Sequence, residues 1–135
     1  MKTTLKKIKN AEACIERYKV LLASLNKIKA DDEPLPIRHI LQSNGLDDAL
    51  WALQTVEGHD REIRLFACDC AEMALPIYEK KYPDDLRPRK AIQAGRDFAN
   101  GLITDAARDA AGDAAWAAAR AAARADIETL LLKYI

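Results

Sequence analysis

Asp69 and the segment Tyr82-Pro83-Asp84-Asp85-Leu86-Arg87-Pro88-Arg89-Lys90 hold the side chains best placed to do chemistry in this chain of 135 residues. Asp69 falls on the flank of a helical pattern, beside its apolar face, where a partly desolvated carboxylate requires a cation or a hydrogen-bond donor. Arg87, Arg89, Lys90 and Arg96 are available to answer it. The favoured reading is a salt bridge tying one helix to the next; direct contact with a partner protein and a catalytic carboxylate are the alternatives. In the 82–90 segment two prolines stiffen the chain. Its aspartates either cap a helix or stand with Arg87 and Arg89 as exposed charged contacts for another protein.

A catalytic reading needs a nucleophile beside a base, a paired acid and base, a metal set or a glycine-rich phosphate cradle. None occurs at adequate spacing: there is no His-x-x-x-His and no G-x-S-x-G, and His39 and His59 flank different elements. Cys68 and Cys70 lie two apart, pointing about 200° from each other on a helix, so they neither bridge nor chelate together. With Cys14 they read as small buried hydrophobes in a reducing compartment. The expectation is a protein that is not an enzyme and carries neither metal nor cofactor.

Lys plus Arg and Asp plus Glu both number 21, so the net charge is zero and the whole molecule exerts no long-range pull on nucleic acid or anionic lipid. The balance hides a split. Residues 1–30 hold eight basic residues against Glu12 and Glu16, and the remainder is correspondingly acidic. Lys6, Lys7 and Lys9 could contact phosphates, which makes nucleic-acid binding the alternative from a different class. No aromatic interleaves them before Tyr18, however, and no helix-turn-helix signature surrounds them. The favoured reading is that these lysines face solvent or the acids of the same fold. No run of eighteen apolar residues and no secretory signal occurs, which points to a soluble, cytoplasmic protein with no membrane partner.

The elements that position these residues are helical. Leu5, Ile8, Ala11, Ile15, Tyr18, Leu22, Leu25 and Ile28 recur at three or four, predicting one amphipathic helix over 4–29 within the basic segment 1–30. Pro34 and Pro36 end it in a turn or short linker. Residues 37–43 form two helical turns before Asn44-Gly45, and Asp47 caps a short element that Gly58 stops. From 61 to 81, Ile63, Phe66, Ala67, Cys70, Met73, Ala74 and Ile77 cluster on one face, while Leu65, Cys68 and Leu75 fall outside it, predicting burial on more than one side. Pro76 should kink this helix. A fourth helix starts at Asp84 or Asp85 and closes at Asn100-Gly101, and Gly95 inside it predicts close approach of a neighbouring backbone. Thr104 caps the last helix, where sixteen of the final 45 residues are Ala and a polar stripe includes Asp109, Asp113 and Arg120, with Trp116 beneath the arginine. No strand pattern competes. The fold class is therefore all-α, a single compact bundle of about five to six helices with an alanine-rich C-terminal helix.

The stretch Arg64-Leu-Phe-Ala-Cys-Asp-Cys-Ala-Glu72, continuing through Leu75-Pro76-Ile-Tyr-Glu79 to Pro83-Asp-Asp85, Arg87-Pro-Arg89 and Ala91-Ile92, resembles the immunity proteins of bacterial polymorphic-toxin systems. Gly45-Leu-Asp-Asp-Ala-Leu-Trp-Ala-Leu53 and the alanine-rich helix extend the resemblance over 46–125, and the lysine-rich N-terminus lies outside it. The resemblance implies an all-α, non-enzymatic protein that binds a cognate toxin or effector and blocks it. The candidate partner-binding residues are then Asp69, Asp84, Asp85, Arg87, Arg89, Asp109, Asp113, Trp116 and Arg120. A phage or mobile-element inhibitor of a host defence complex is the alternative within the binding class, and a self-associating homo-oligomer is the structural one.

Overall fold

The computed structural model describes residues 1–105 and 130–135, and the chain divides into two compact units, Met1–His59 with Ile135 and Asp60–Tyr134. The alanine-rich helix expected after Thr104 falls largely on 106–129 and so lies outside the described residues.

The first unit runs β1 (Lys2–Thr3), α1 (Leu5–Asn10), α2 (Ile15–Ser24), β2 (Leu35–Pro36), α3 (Ile37–Asn44), α4 (Leu46–Ala52) and a 3-10 turn over Leu53–Thr55. Thr4 starts α1 because its hydroxyl accepts the Lys7 amide at 3.1 Å, supplying one of the bonds a helix start leaves open. β1 and β2 pair antiparallel, Lys2 opposite Pro36 and Thr3 opposite Leu35; a proline is tolerated there because the ribbon has only edges. Thr3 is buried with its hydroxyl 2.6 Å from that of Thr55, which in turn donates to the Ala52 carbonyl. The core around them is Leu5, Ile8, Ile37, Ile40, Ala49 and Ala52.

The single helix expected over 4–29 is two. The chain leaves α1 at Asn10, Glu12 adopts the left-handed conformation at φ 60°, and α2 ends before Asn26, itself at φ 53°. Tertiary packing overrides the local period here. Folding back lets the Tyr18 hydroxyl reach the Leu5 carbonyl at 3.1 Å and buries Leu5, Ile8 and Leu21, whereas Ile15 and Ile28, which fit the same period, are left exposed. At the other junction Gly45, at φ 89°, both closes α3 and opens α4, so Asp47 lies in the first turn of α4 rather than at its cap.

The second unit is built on α5 (Asp60–Lys81) and α6 (Arg87–Ala99). Asp60 and Glu62 sit in the first turn of α5 and Lys80 and Lys81 in its last, the order the helix dipole favours. Pro76 is accommodated inside α5, and Pro88 lies in the first turn of α6, where a missing donor costs least. Two faces of α5 are buried. One carries Phe66, Cys70 and Ala74; the other carries Ala71 and Leu75, which form a core with Ile92 of α6 and the half-buried Cys68. Met73 and Ile77, expected to join the first face, are exposed. The close approach signalled by Gly95 is to a side chain rather than to a backbone: a Cβ there would lie 2.8 Å from the Cys68 sulfur. The cysteines also separate. Cys70 is buried, and desolvation pushes its thiol up to about 11; Cys68 is half-buried; Cys14 is exposed, against expectation, because it stands at the α1–α2 turn.

Candidate functional site

The helical pair α5 and α6 holds the chemistry-bearing residues of the second unit in two clusters of ion pairs. In the first, Asp69 on α5 takes the Arg96 guanidinium of α6 at 2.7 Å, and the same guanidinium bonds Glu72 one turn on. The Tyr134 hydroxyl donates to the other Asp69 oxygen at 2.7 Å, and its ring meets Phe66 edge-on with centroids 5.8 Å apart. Burial, reinforced by that hydrogen bond, pushes the tyrosine up to about 12. The Asp69 and Arg96 side chains are each only about a quarter exposed. The salt bridge between helices read from the sequence is therefore found, and of the four cations available it is Arg96 that makes it.

The second cluster pins the turn between the helices. Asp85 accepts from the Tyr78 hydroxyl at 2.7 Å, from the Arg87 backbone amide at 3.1 Å and from the Arg87 guanidinium at 2.8 and 2.6 Å. The Arg87 guanidinium first, and then the tyrosine hydroxyl, hold this carboxyl well below its usual 3.8. Two residues along α6, Arg89 grips Glu79 with both arms of its fork at 2.9 and 2.8 Å. Asp85 thus does cap-like work on the Arg87 amide, although Leu86 holds the cap position of α6. Asp84 is exposed and has no charged partner among the described residues. Asp109, Asp113, Trp116 and Arg120 lie outside the described residues.

Sequence reasoning missed Tyr78 and Tyr134, the two hydroxyls that complete these clusters. Tyr78 carried a usable signal, because the helix end places it one turn before a loop rich in aspartate; Tyr134, 65 residues from Asp69, carried none.

In the first unit the basic residues are largely engaged. Lys6 pairs with Asp32 at 2.9 Å, Lys7 with Glu57 at 2.9 Å, and Lys27 with both Asp31 and Glu33 at 2.6 Å, while Lys9 is exposed without an acidic partner among the described residues. Arg17 bonds Asp48 and the Asn44 carbonyl at the polar edge of a cleft of about 230 Å³ whose other walls include Ile8, Leu21, Ile40 and Trp51. Ser24 lies 2.9 Å from His39 Nε2 and donates its own proton to the Leu21 carbonyl at 2.8 Å. With the serine proton on the Leu21 carbonyl, the serine oxygen accepts from His39 in its Nε2–H tautomer. Among the described residues no group of His, Cys, Asp and Glu could hold a metal ion, every buried side-chain polar atom has a partner, and no helix is long and apolar enough to cross a membrane.

Six α-helices, one 3-10 turn and a single two-residue strand pair among the described residues make the chain all-α. The chain belongs to the Imm-5 like putative immunity protein family, whose model matches residues 53–134 and so takes in both ion-pair clusters. No curated protein and no solved structure matches it.

Proposed function

We propose that the chain is a non-enzymatic inhibitory protein that neutralises a cognate toxin by covering its working surface, with no covalent step. Family membership over residues 53–134 is the observation that carries this reading. The geometry supports it. The ion pairs of α5 and α6 hold the helices and their turn in one arrangement before any partner arrives, and preorganised surfaces lose less free energy on association than flexible ones. On this reading Asp84 and Arg87 are direct contacts, since both are exposed at the turn, and Asp109, Asp113, Trp116 and Arg120 belong to the same contact set. Asp69, Asp85 and Arg89 serve the surface by holding their neighbours. Action in the cytoplasm, beside a toxin made by the same cell, is part of the proposal.

Growth rescue tests it. Polymorphic-toxin domains induced one at a time should arrest cells, and co-expression of the chain should restore growth against one of them. Arrest that persists with the chain abundantly present would refute the reading. Nucleic-acid binding through Lys6, Lys7 and Lys9 has less support, because Lys6 and Lys7 are already paired with acids.

A further inference from the structure

At the turn between α1 and α2 the sequence and the backbone pull in opposite directions. Ala11, Glu12 and Ala13 are strong helix formers, and the apolar period of α1 continues through them into α2 with neither glycine nor proline to stop it. Yet Glu12 stands in the left-handed conformation at φ 60°, which strains any residue that carries a Cβ. Ala11 is already near-helical at φ -82° and ψ 12°, whereas Cys14 is extended at φ -53° and ψ 124°. Backbone rotations within residues 12–14 are therefore enough to turn this hinge into helix.

The hinge folds back an arm, residues 1–10, that is held by residues further along the chain. Lys2 and Thr3 pair with Pro36 and Leu35, the Lys6 amide donates to the Asp31 carbonyl at 3.0 Å, and the Thr3 hydroxyl meets that of Thr55. Lys6 and Lys7 form ion pairs with Asp32 and Glu57, Leu5 and Ile8 are buried, and the Leu5 carbonyl accepts from Tyr18. In an unbroken helix over 5–24, Leu5 and Tyr18 would stand about 20 Å apart along the axis, so the arm would leave its site and bare Leu5 and Ile8. The arm of a second copy fits the vacated site with the same strand pair, ion pairs and apolar anchors, because all of them are already complementary. A short, strained hinge is the feature that lets identical elements exchange between two chains. The exchange relieves Glu12 and lengthens the helix; the entropy of association opposes it, so concentration decides the balance.

We propose that residues 1–10 exchange between two copies of the chain, each arm docking on residues 31–57 of the other while residues 11–14 become helical and join α1 to α2.

Lys7 and Glu57 provide the readout, because their charged groups lie 2.9 Å apart and are accessible to a carbodiimide that joins an amine directly to a carboxylate. Equal amounts of isotopically labelled and unlabelled full-length chain are unfolded together in urea, refolded at high protein concentration and coupled, and the dimer is separated by size. Half of its Lys7–Glu57 links should join a labelled chain to an unlabelled one, whereas a dimer that merely abuts two closed chains gives links within one label only. Glu12→Gly, which suits the left-handed turn and weakens the helix, should weaken dimerisation by about tenfold or more. Glu12→Ala removes the same carboxylate but favours the helix, and should leave the dimer in place. The proposal is overturned if the refolded chain stays monomeric at every concentration, if the links in the dimer never mix labels, or if Glu12→Gly dimerises as readily as wild type. Equal loss of dimer in Glu12→Ala and Glu12→Gly would also overturn it, since the side chain and not the hinge would then hold the dimer.

Discussion

Gly95 and Cys68 show how tightly single residues constrain the second unit. Replacing Gly95 by alanine ordinarily favours a helix by roughly 1 kcal/mol. Here the new methyl would meet the Cys68 sulfur at 2.8 Å, and the overpacking should outweigh that gain, for a net loss of about 1 to 2 kcal/mol. In a Cys68→Ala background the same substitution should become neutral or stabilising, which a denaturant double-mutant cycle measures; additive effects would contradict the contact. Asp85 and Tyr134 predict the pH limits. Because the folded state lowers the Asp85 value, its contribution is present above the usual 3.8 and is lost as pH falls below it, and Asp85→Asn should shallow the acid limb of a stability profile. Tyr134 is raised, so its contribution is complete below 10 and disappears as pH rises toward about 12; Tyr134→Phe should flatten that alkaline decline. Asp69 was legible in the sequence because a carboxylate beside an apolar helix face must find a cation, and Arg96 supplies it. Its second partner, Tyr134, was not, since no local rule connects residues 65 positions apart.

Helix boundaries were legible wherever a residue physically stops the chain. Asp60 opens α5, Gly45 and Gly101 terminate their helices at positive φ, and the prolines fall where a missing donor is tolerated. The α1–α2 break was illegible because Ala11, Glu12 and Ala13 include neither glycine nor proline, and the apolar period runs straight through them. The two readings differ in a measurable sign. With Glu12 in the left-handed conformation, Glu12→Gly should raise stability by roughly 0.5 to 1 kcal/mol by relieving backbone strain. In an uninterrupted helix the same change would lower it by a similar amount. Thermal unfolding of the full chain separates these outcomes. Exposure of Met73 and Ile77 was equally illegible, since a hydrophobic period identifies a face without saying which part of it a neighbour covers.

Charge is balanced over the whole molecule and also within each unit. Residues 1–59 hold nine basic residues and eight acidic ones, so the basic segment read from the sequence is neutralised by Asp31, Asp32, Glu33, Asp48 and Glu57 in its own unit. The chain should therefore fail to retard duplex DNA or structured RNA at low ionic strength, where phosphate binding is strongest; retention lost on replacing Lys6, Lys7 and Lys9 would contradict this. Lys6, Lys7, Arg89 and Arg96 are among the charged groups paired within the chain, and on the proposed reading its exposed surface serves recognition. The most direct measurement of that account mixes purified chain with a toxin domain whose growth arrest it relieves and follows sedimentation and toxin activity together. The account predicts a stoichiometric complex in which activity falls in proportion to the toxin bound and returns when the complex is dissociated by denaturant and the toxin refolded alone. Toxin that sediments unchanged and keeps its activity in excess chain, or inactivated toxin that carries a covalent change, would contradict it.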